Sequence, residues 1–190
     1  MKLLVTGASG FIGQEVSRQL SLGGYHPRLM IRQPGDDCEI CHLDADFFIA
    51  DLRNHNSLKQ AVRGVDGIIH LGARATFESY KTLKPSILEG SAALMKAGIS
   101  AGVRRFVYSS SLLVYGSDTS RVDANTPVNP VLDYGRIKVD TENRLSEIAA
   151  SAGVYFSALR LPHVYGARDL YFRQLRAGRL ILPGLGQNLY

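Results

Sequence analysis

No apolar run in this chain approaches the roughly 20 residues that span a bilayer, so nothing in it reads as a membrane-spanning helix. The opening run Met1–Val5 is cut short by Thr6-Gly7-Ala8-Ser9-Gly10, without the apolar stretch or cleavage site of a secretory signal. The expected location is therefore the cytoplasm. Blocks of like charge are also missing. The 22 Lys and Arg against 17 Asp and Glu give a net +5, but they are scattered and not interleaved with aromatics. Nucleic acid is thus not expected as a partner; a mildly basic surface equally suits small anions such as dinucleotides or nucleotide sugars. Cysteine is scarce, at two residues. Cys38-Glu39-Ile40-Cys41-His42 has the form of a haem-attachment or redox motif. It follows Pro34-Gly35-Asp36-Asp37 in a polar connection and opens no helix, so the spacing reads as coincidence. Internal repeats and low-complexity stretches are absent too.

What is present is an ordinary globular balance, 45% hydrophobic and 21% charged, in a length that suits one domain with a real core. Short apolar runs predict strands at Lys2–Thr6, Arg28–Ile31, Phe47–Ala50, Gly67–Leu71, Arg105–Ser109 and Tyr155–Leu159. Helical patterns fall at Ile12–Leu22, Ser57–Val62, Ile87–Ala101, Tyr134–Ala150 and Leu170–Ala177. Strand-then-helix alternation predicts an α/β fold, a Rossmann-like doubly wound parallel sheet with helices on both faces.

Directly after the first strand comes Thr6-Gly7-Ala8-Ser9-Gly10-Phe11-Ile12-Gly13. Gly7 allows a tight strand-to-helix turn, Gly10 lets backbone approach a pyrophosphate, and Gly13 lets the helix pack on the strand. The amides that open the next helix favour an anion there. Ser9, Phe11 and Ile12 complete this candidate cofactor turn. The second strand ends in Arg32, about 20 residues on, where an acidic residue would bind the ribose of NAD. Arg suits a 2′-phosphate, which points towards NADP. The competing reading leaves Arg32 solvated, with Asp36 or Asp37 on the ribose.

Tyr134 and Lys138 stand four apart at a helix start, hence on one face. An ammonium near a phenol lowers its pKa, so Tyr134 is a candidate proton shuttle. Ser109-Ser110-Ser111 falls at the C-terminal edge of the fifth strand, where open parallel sheets bind ligands. A serine there stabilises developing charge on a substrate oxygen, or simply forms a turn.

These segments resemble the extended short-chain dehydrogenase/reductase family in its NAD-dependent epimerase/dehydratase branch. Thr6–Gly13 is similar to TGxxGFIG, and Tyr134 with Lys138 to YxxxK. Asp51-Leu52 resembles the family's pair that contacts adenine, and His70-Leu71-Gly72-Ala73 its HLAA stretch beside the cofactor. Ser109–Gly116 resembles SSSxxVYG, and Arg160–Gly166 resembles the RPxxVYG segment lining nicotinamide and substrate. The resemblance implies that Ser111 binds the substrate oxygen, that Tyr134 is the acid/base, and that Lys138 lowers its pKa while holding the nicotinamide ribose. It also implies cofactor contacts from Leu71, Gly72, Ala73, Ser109, Leu161, Pro162, His163 and Val164; a loop histidine without substrate contact is the other reading of His163. One departure is Ile87, which stands where the family's NVxGT helix start has Asn.

The expectation is an NAD(P)-dependent epimerase/dehydratase-type enzyme acting on a hydroxyl or carbonyl, most plausibly of a nucleotide sugar. The alternatives are an NADPH-dependent carbonyl reductase of dihydroflavonol-reductase or hydroxysteroid-dehydrogenase type, and a non-catalytic dinucleotide-binding module. Residues 1–176 are expected to form the NAD(P)-binding domain with the catalytic groups, and 177–190 to begin a substrate-binding region that breaks off. No metal is expected; a homodimer is possible by resemblance.

Overall fold

The computed structural model describes residues 1–35, 39–73, 76, 78–116, 121–123, 125–166, 174 and 176–178. Six parallel strands form one sheet: β1 (Leu3–Thr6), β2 (Arg28–Ile31), β3 (Asp46–Ile49), β4 (Gly67–His70), β5 (Arg105–Ser111) and β6 (Tyr155–Leu161). Their order is β3-β2-β1-β4-β5-β6, so the direction of winding reverses between β1 and β4. In such sheets the crevice beyond the strand ends at that reversal is where ligands bind.

The helices among the described residues are α1 (Phe11–Leu22), α2 (His55–Ala61), α3 (Tyr80–Lys84), α4 (Gly90–Ser100) and α5 (Asp133–Ala152). On one side of the sheet, Leu4, Ile68, Phe106 and Tyr108 pack against Leu58, Leu94, Met95, Leu145 and Ile148. On the other, Val5, Ala8 and Leu29 pack with Ile40. Burial on both faces explains why the central strands read as unbroken apolar runs. Edge strand β6 differs: Tyr155 and Leu159 are exposed, and burial alternates along it.

Two expectations need correction. β5 and β6 each run two residues further, to Ser111 and Leu161, so all three serines lie within the strand. The helix expected from Ile87 begins at Tyr80, capped by Ser79, and passes through Pro85 in a wide turn of π-helix over Pro85–Glu89. Proline lacks the amide that an α-helix needs, so the regular helical pattern is interrupted there. The wide turn carries the chain past Pro85 into α4. The predicted helix Leu170–Ala177 and region 177–190 fall largely outside the described residues, as does Cys38. Cys41 is an exposed thiol. Among the described residues no helix is long and apolar enough to cross a membrane, and no group of three or more His, Cys, Asp or Glu is arranged to hold a metal ion.

Candidate active site

The glycine turn is built with no space to spare. Gly7 has φ +68°, a conformation that favours glycine, and a Cβ on it would lie 2.8 Å from Gly72 Cα. A Cβ on Gly13 would lie 2.0 Å from the Gly7 carbonyl oxygen. The turn after β1 and the turn after β4 therefore touch backbone to backbone at the reversal point. Gly10 is the N-cap of α1 and offers no side-chain cap, and the first turn of α1 carries no acidic residue. By contrast, α2 and α3 open with the side-chain caps of Asn54 and Ser79. The first amides of α1, at Phe11, Ile12 and Gly13, thus have no capping side chain, and such a helix start favours an anion. Ser9 adds a carbonyl that accepts from the Gln14 side chain at 3.0 Å.

A buried polar chain ties the two turns together. The Gly72 amide donates to Thr6 Oγ1 at 3.1 Å, and Thr6 Oγ1 lies 2.6 Å from His70 Nδ1. His70 Nε2 lies 2.8 Å from Ser91 Oγ, and that hydroxyl donates to the Ile87 carbonyl. Burial holds His70 far below the usual imidazole range, at about 3, with Lys138 adding to the effect, so the ring is neutral. Ser91 has one proton and gives it to Ile87, so Nε2 is the protonated nitrogen. Nδ1 then accepts from Thr6, and every group in the chain is satisfied. Ile87, the departure from the family pattern, is fully buried with Leu83 and Ile137, beside Ala73 and Tyr134.

Tyr134 and Lys138 meet on the inner face of α5 as their spacing predicts. Lys138 Nζ sits 5.5 Å from the centre of the Tyr134 ring and 4.6 Å from that of Tyr108. It donates to the Ser109 carbonyl at 2.8 Å and is only 1% exposed. Burial lowers its pKa to about 7, while Glu142 works in the opposite direction. Burial raises the pKa of Tyr134, the opposite of the shift expected from the neighbouring ammonium. Ser111 closes β5, and its hydroxyl accepts from the Leu113 amide at 3.2 Å rather than from Tyr134. Ser110 Oγ is buried without a hydrogen-bond partner among the described residues.

The remaining candidates divide into two groups. Leu161, Pro162, His163 and Val164 run along the end of β6, and Gly166 lies close enough to the Phe11 ring that a Cβ would meet it at 3.2 Å. That contact brings the end of this segment to the glycine turn. Arg32 and Asp51 stand apart, at the ends of β2 and β3. Asp51 is held below the usual carboxylate range first by Arg53, which binds it at 2.9 Å, and to a lesser degree by Arg32. Leu52 packs against the start of α4, where a Cβ on Gly90 would meet it at 2.8 Å.

The sequence reading missed Thr6, His70 and Ser91 as a connected set, and it missed Glu142. The carboxylate had a signal, because Glu142 lies one helical turn beyond Lys138 on the same face. The hydroxyl–imidazole chain had none, since its members are 64 and 21 residues apart.

A parallel sheet whose reversal point carries an uncapped glycine turn, with a tyrosine–lysine pair nearby, defines a Rossmann domain of the extended short-chain dehydrogenase/reductase kind. More specifically, the chain belongs to the NAD dependent epimerase/dehydratase family, whose model matches residues 3–183. It is 31% identical over 166 residues to the uncharacterized protein y4nG of Sinorhizobium fredii, covering 86% of this chain and 41% of that protein. It is 38% identical over 120 residues to dihydroflavonol 4-reductase of Arabidopsis thaliana, covering 56% of this chain and 31% of that protein. Among solved structures, the dTDP-glucose 4,6-dehydratase DesIV of Streptomyces venezuelae, with NAD bound, superposes with a TM-score of 0.83 at 25% identity. That match covers 94% of this chain and 63% of the other. The chain spans less than half the length of these two relatives.

Proposed function

We propose that this chain carries the cofactor-binding and proton-transfer machinery of an NAD(P)-dependent epimerase/dehydratase-type enzyme. Its substrate is a hydroxyl or carbonyl compound, in our reading a nucleotide sugar. The observation that carries this reading is the uncapped glycine turn locked against Gly72 at the reversal of the sheet, with Tyr134 and Lys138 at the same sheet edge. The buried Ser110 hydroxyl and the uncapped start of α1 fit a polar ligand, and at Gly10 an added Cβ would meet only the Gly7 carbonyl oxygen, at 3.2 Å, so the approach to the turn is kept clear by glycine.

The dinucleotide, when bound, would supply a hydride acceptor or donor. Gly7, Gly10 and Gly13 with the amides of Phe11 and Ile12 would hold its pyrophosphate, and Arg32, Asp51 and Leu52 its adenosine end. Leu71, Gly72, Ala73, Ser109, Lys138 and residues 161–164 would line the nicotinamide end. Tyr134 would take or return the proton of the substrate oxygen, and a phosphate or ribose brought near Lys138 would favour its charged form and so the phenolate. Ser111, already accepting from Leu113, keeps its own proton to donate to that oxygen.

Arg32 and the dihydroflavonol reductase relative favour the second reading, an NADPH-dependent carbonyl reductase. A non-catalytic binding module has no use for Tyr134. Residues 1–176 would form the domain, 177–190 the start of the substrate region, and a homodimer the assembly. Titration with NADH and NADPH, followed by nicotinamide fluorescence, tests the reading. Binding of either supports it; tighter NADPH binding that is lost in Arg32→Ala moves it to the reductase, and binding of neither overturns it. With a candidate substrate, Tyr134→Phe should lower turnover by a hundredfold or more, on the order of general acid/base effects, while cofactor binding persists.

A further inference from the structure

The Lys138 ammonium has a carboxylate one helical turn away and does not use it. Lys138 Nζ points to the Ser109 carbonyl and towards Tyr134, whereas Glu142 is engaged by another residue. Arg160, on β6, places Nε 3.2 Å from both Glu142 oxygens and Nη2 2.8 Å from Oε2. Its Nη1 donates to Tyr115 OH at 2.8 Å, and its guanidinium carbon lies 4.9 Å from the centre of the Tyr115 ring. Tyr115 OH in turn donates to the Asp123 carbonyl at 3.0 Å. One side chain thus fastens α5, β6 and the turn that follows the serine strand. The Glu142–Arg160 pair is mostly buried, with Glu142 the deeper partner.

Resting on the functional reading above, we propose that Arg160 is a positioning residue for the Tyr134–Lys138 pair. By occupying both oxygens of Glu142 it prevents a Lys138–Glu142 ion pair and leaves the ammonium directed at Tyr134 and the Ser109 carbonyl. The competition follows from geometry. Residues four apart on a helix are within reach of each other, and a buried ammonium gains more from a carboxylate than from a single carbonyl. A planar fork that takes two oxygens at once wins that carboxylate. The charged and titratable groups facing Lys138 are Tyr134 and Glu142 on α5, Tyr108 on β5 and His70 on β4. Arg160 on β6 and Tyr115 in the following turn act through Glu142, and Tyr80 of α3 is held away by Asp140 at 2.5 Å.

The two partners should then move the Lys138 titration in opposite directions. In Arg160→Met the freed carboxylate swings to Lys138, and the nearby guanidinium charge disappears. Both effects favour the ammonium, so the midpoint of Lys138, near 7 in the starting chain, should rise by about one pH unit or more. In Glu142→Gln it should fall. In the double variant it should fall as well, because there is no carboxylate left to capture the lysine. NADH affinity should drop about tenfold in Arg160→Met and recover to within about threefold in the double variant, if each tenfold step reflects one charge-assisted contact at Lys138.

The test is the 15N-detected titration of the Lys138 side chain in the cofactor-free chain, alongside NADH binding by fluorescence. Shifts of the same sign in the two single variants, or a double variant as impaired as Arg160→Met, overturn the proposal, since a purely structural strut gives that pattern. If Arg160→Met does not fold, Arg160→Lys replaces it: a point charge cannot hold both oxygens, so a smaller upward shift is expected and its absence overturns the proposal. A starting chain that binds no nicotinamide would instead refute the functional reading, while the titration would still decide the role of Arg160.

Discussion

Each end of the sheet carries a histidine with both ring nitrogens engaged, and the two are opposite in character. At the C-terminal end, His70 bonds to two hydroxyls, is fully buried and is neutral. At the N-terminal end, His26 lies between Asp44 at 2.8 Å and Asp46 at 2.9 Å, exposed, with its pKa raised chiefly by Asp46. Carboxylates can only accept, so two of them facing the two ring nitrogens favour the protonated ring. Lys2 joins the same cluster through Asp46, whose pKa is driven down to about 2. The partners, not the residue type, decide the charge. Hydroxyls allow a buried ring with no charge to desolvate, while carboxylates demand a charged ring that only solvent tolerates.

The comparison predicts that the site end is rigid and costly to disturb, and that the opposite end is forgiving. The largest effect should come from Gly13→Ala, whose Cβ has nowhere to go between α1 and the Gly7 carbonyl. A loss of about 3 kcal/mol, with cofactor binding abolished, is expected from chemical denaturation and NADH titration. Gly24→Ala, at φ +76° with open space around it, should cost only about 1 kcal/mol from backbone conformation. Equal costs at the two positions would break the contrast.

Next in size is the pH dependence of His70. Its folded-state pKa lies below the unfolded value near 6.5, so its contribution is complete above pH 6.5 and is lost as pH falls towards 3. That loss runs at about 1.4 kcal/mol per pH unit, or roughly 2 kcal/mol between pH 6.5 and 5. Denaturation series at several pH values in the starting chain and in His70→Asn would show the slope and its removal. Ser91→Ala should follow, at about 1–3 kcal/mol, because it leaves the Nε2 proton buried without an acceptor. His26→Ala should be the smallest. Its sign is reversed: a raised folded-state pKa gives stabilisation that is present below pH 6.5 and disappears as pH rises past that value. Salt should screen it, so a thermal-melt difference at pH 5.5 that vanishes at pH 8.5 and in 1 M NaCl would complete the contrast.

The site end was also the more legible in sequence, though unevenly. The glycine turn and the Tyr134–Lys138 pair are local patterns, in which spacing alone fixes which groups share a face or a turn. The strands were legible because burial on both faces leaves continuous apolar runs; β1, β3 and β4 differ from the expected bounds by one residue, and the ends missed by two belong to β5 and β6, where serines and an arginine interrupt the run. Pro85 hid the start of its helix because a wide turn, not a stop, resolves its missing amide. What could not be read were ties between distant segments: Thr6 to His70, His70 to Ser91, and Arg160 to Glu142 and Tyr115. Each is made by a polar residue whose type fits many roles: the register of β1 with β4 sets Thr6 beside His70, and the packing of α4 and α5 on the sheet brings Ser91 and Glu142 to their partners.

The polar chain from Gly72 to Ile87 has one further consequence. It starts at a peptide N–H, which cannot give up its proton, and it ends at a peptide carbonyl, which cannot keep one. Every hydroxyl and ring between them already points the same way, so there is neither a source nor a sink for a proton to hop along it. The buried His70 imidazole is therefore an insulator, and a proton exchanged at Tyr134 under the proposed function would not pass along this chain.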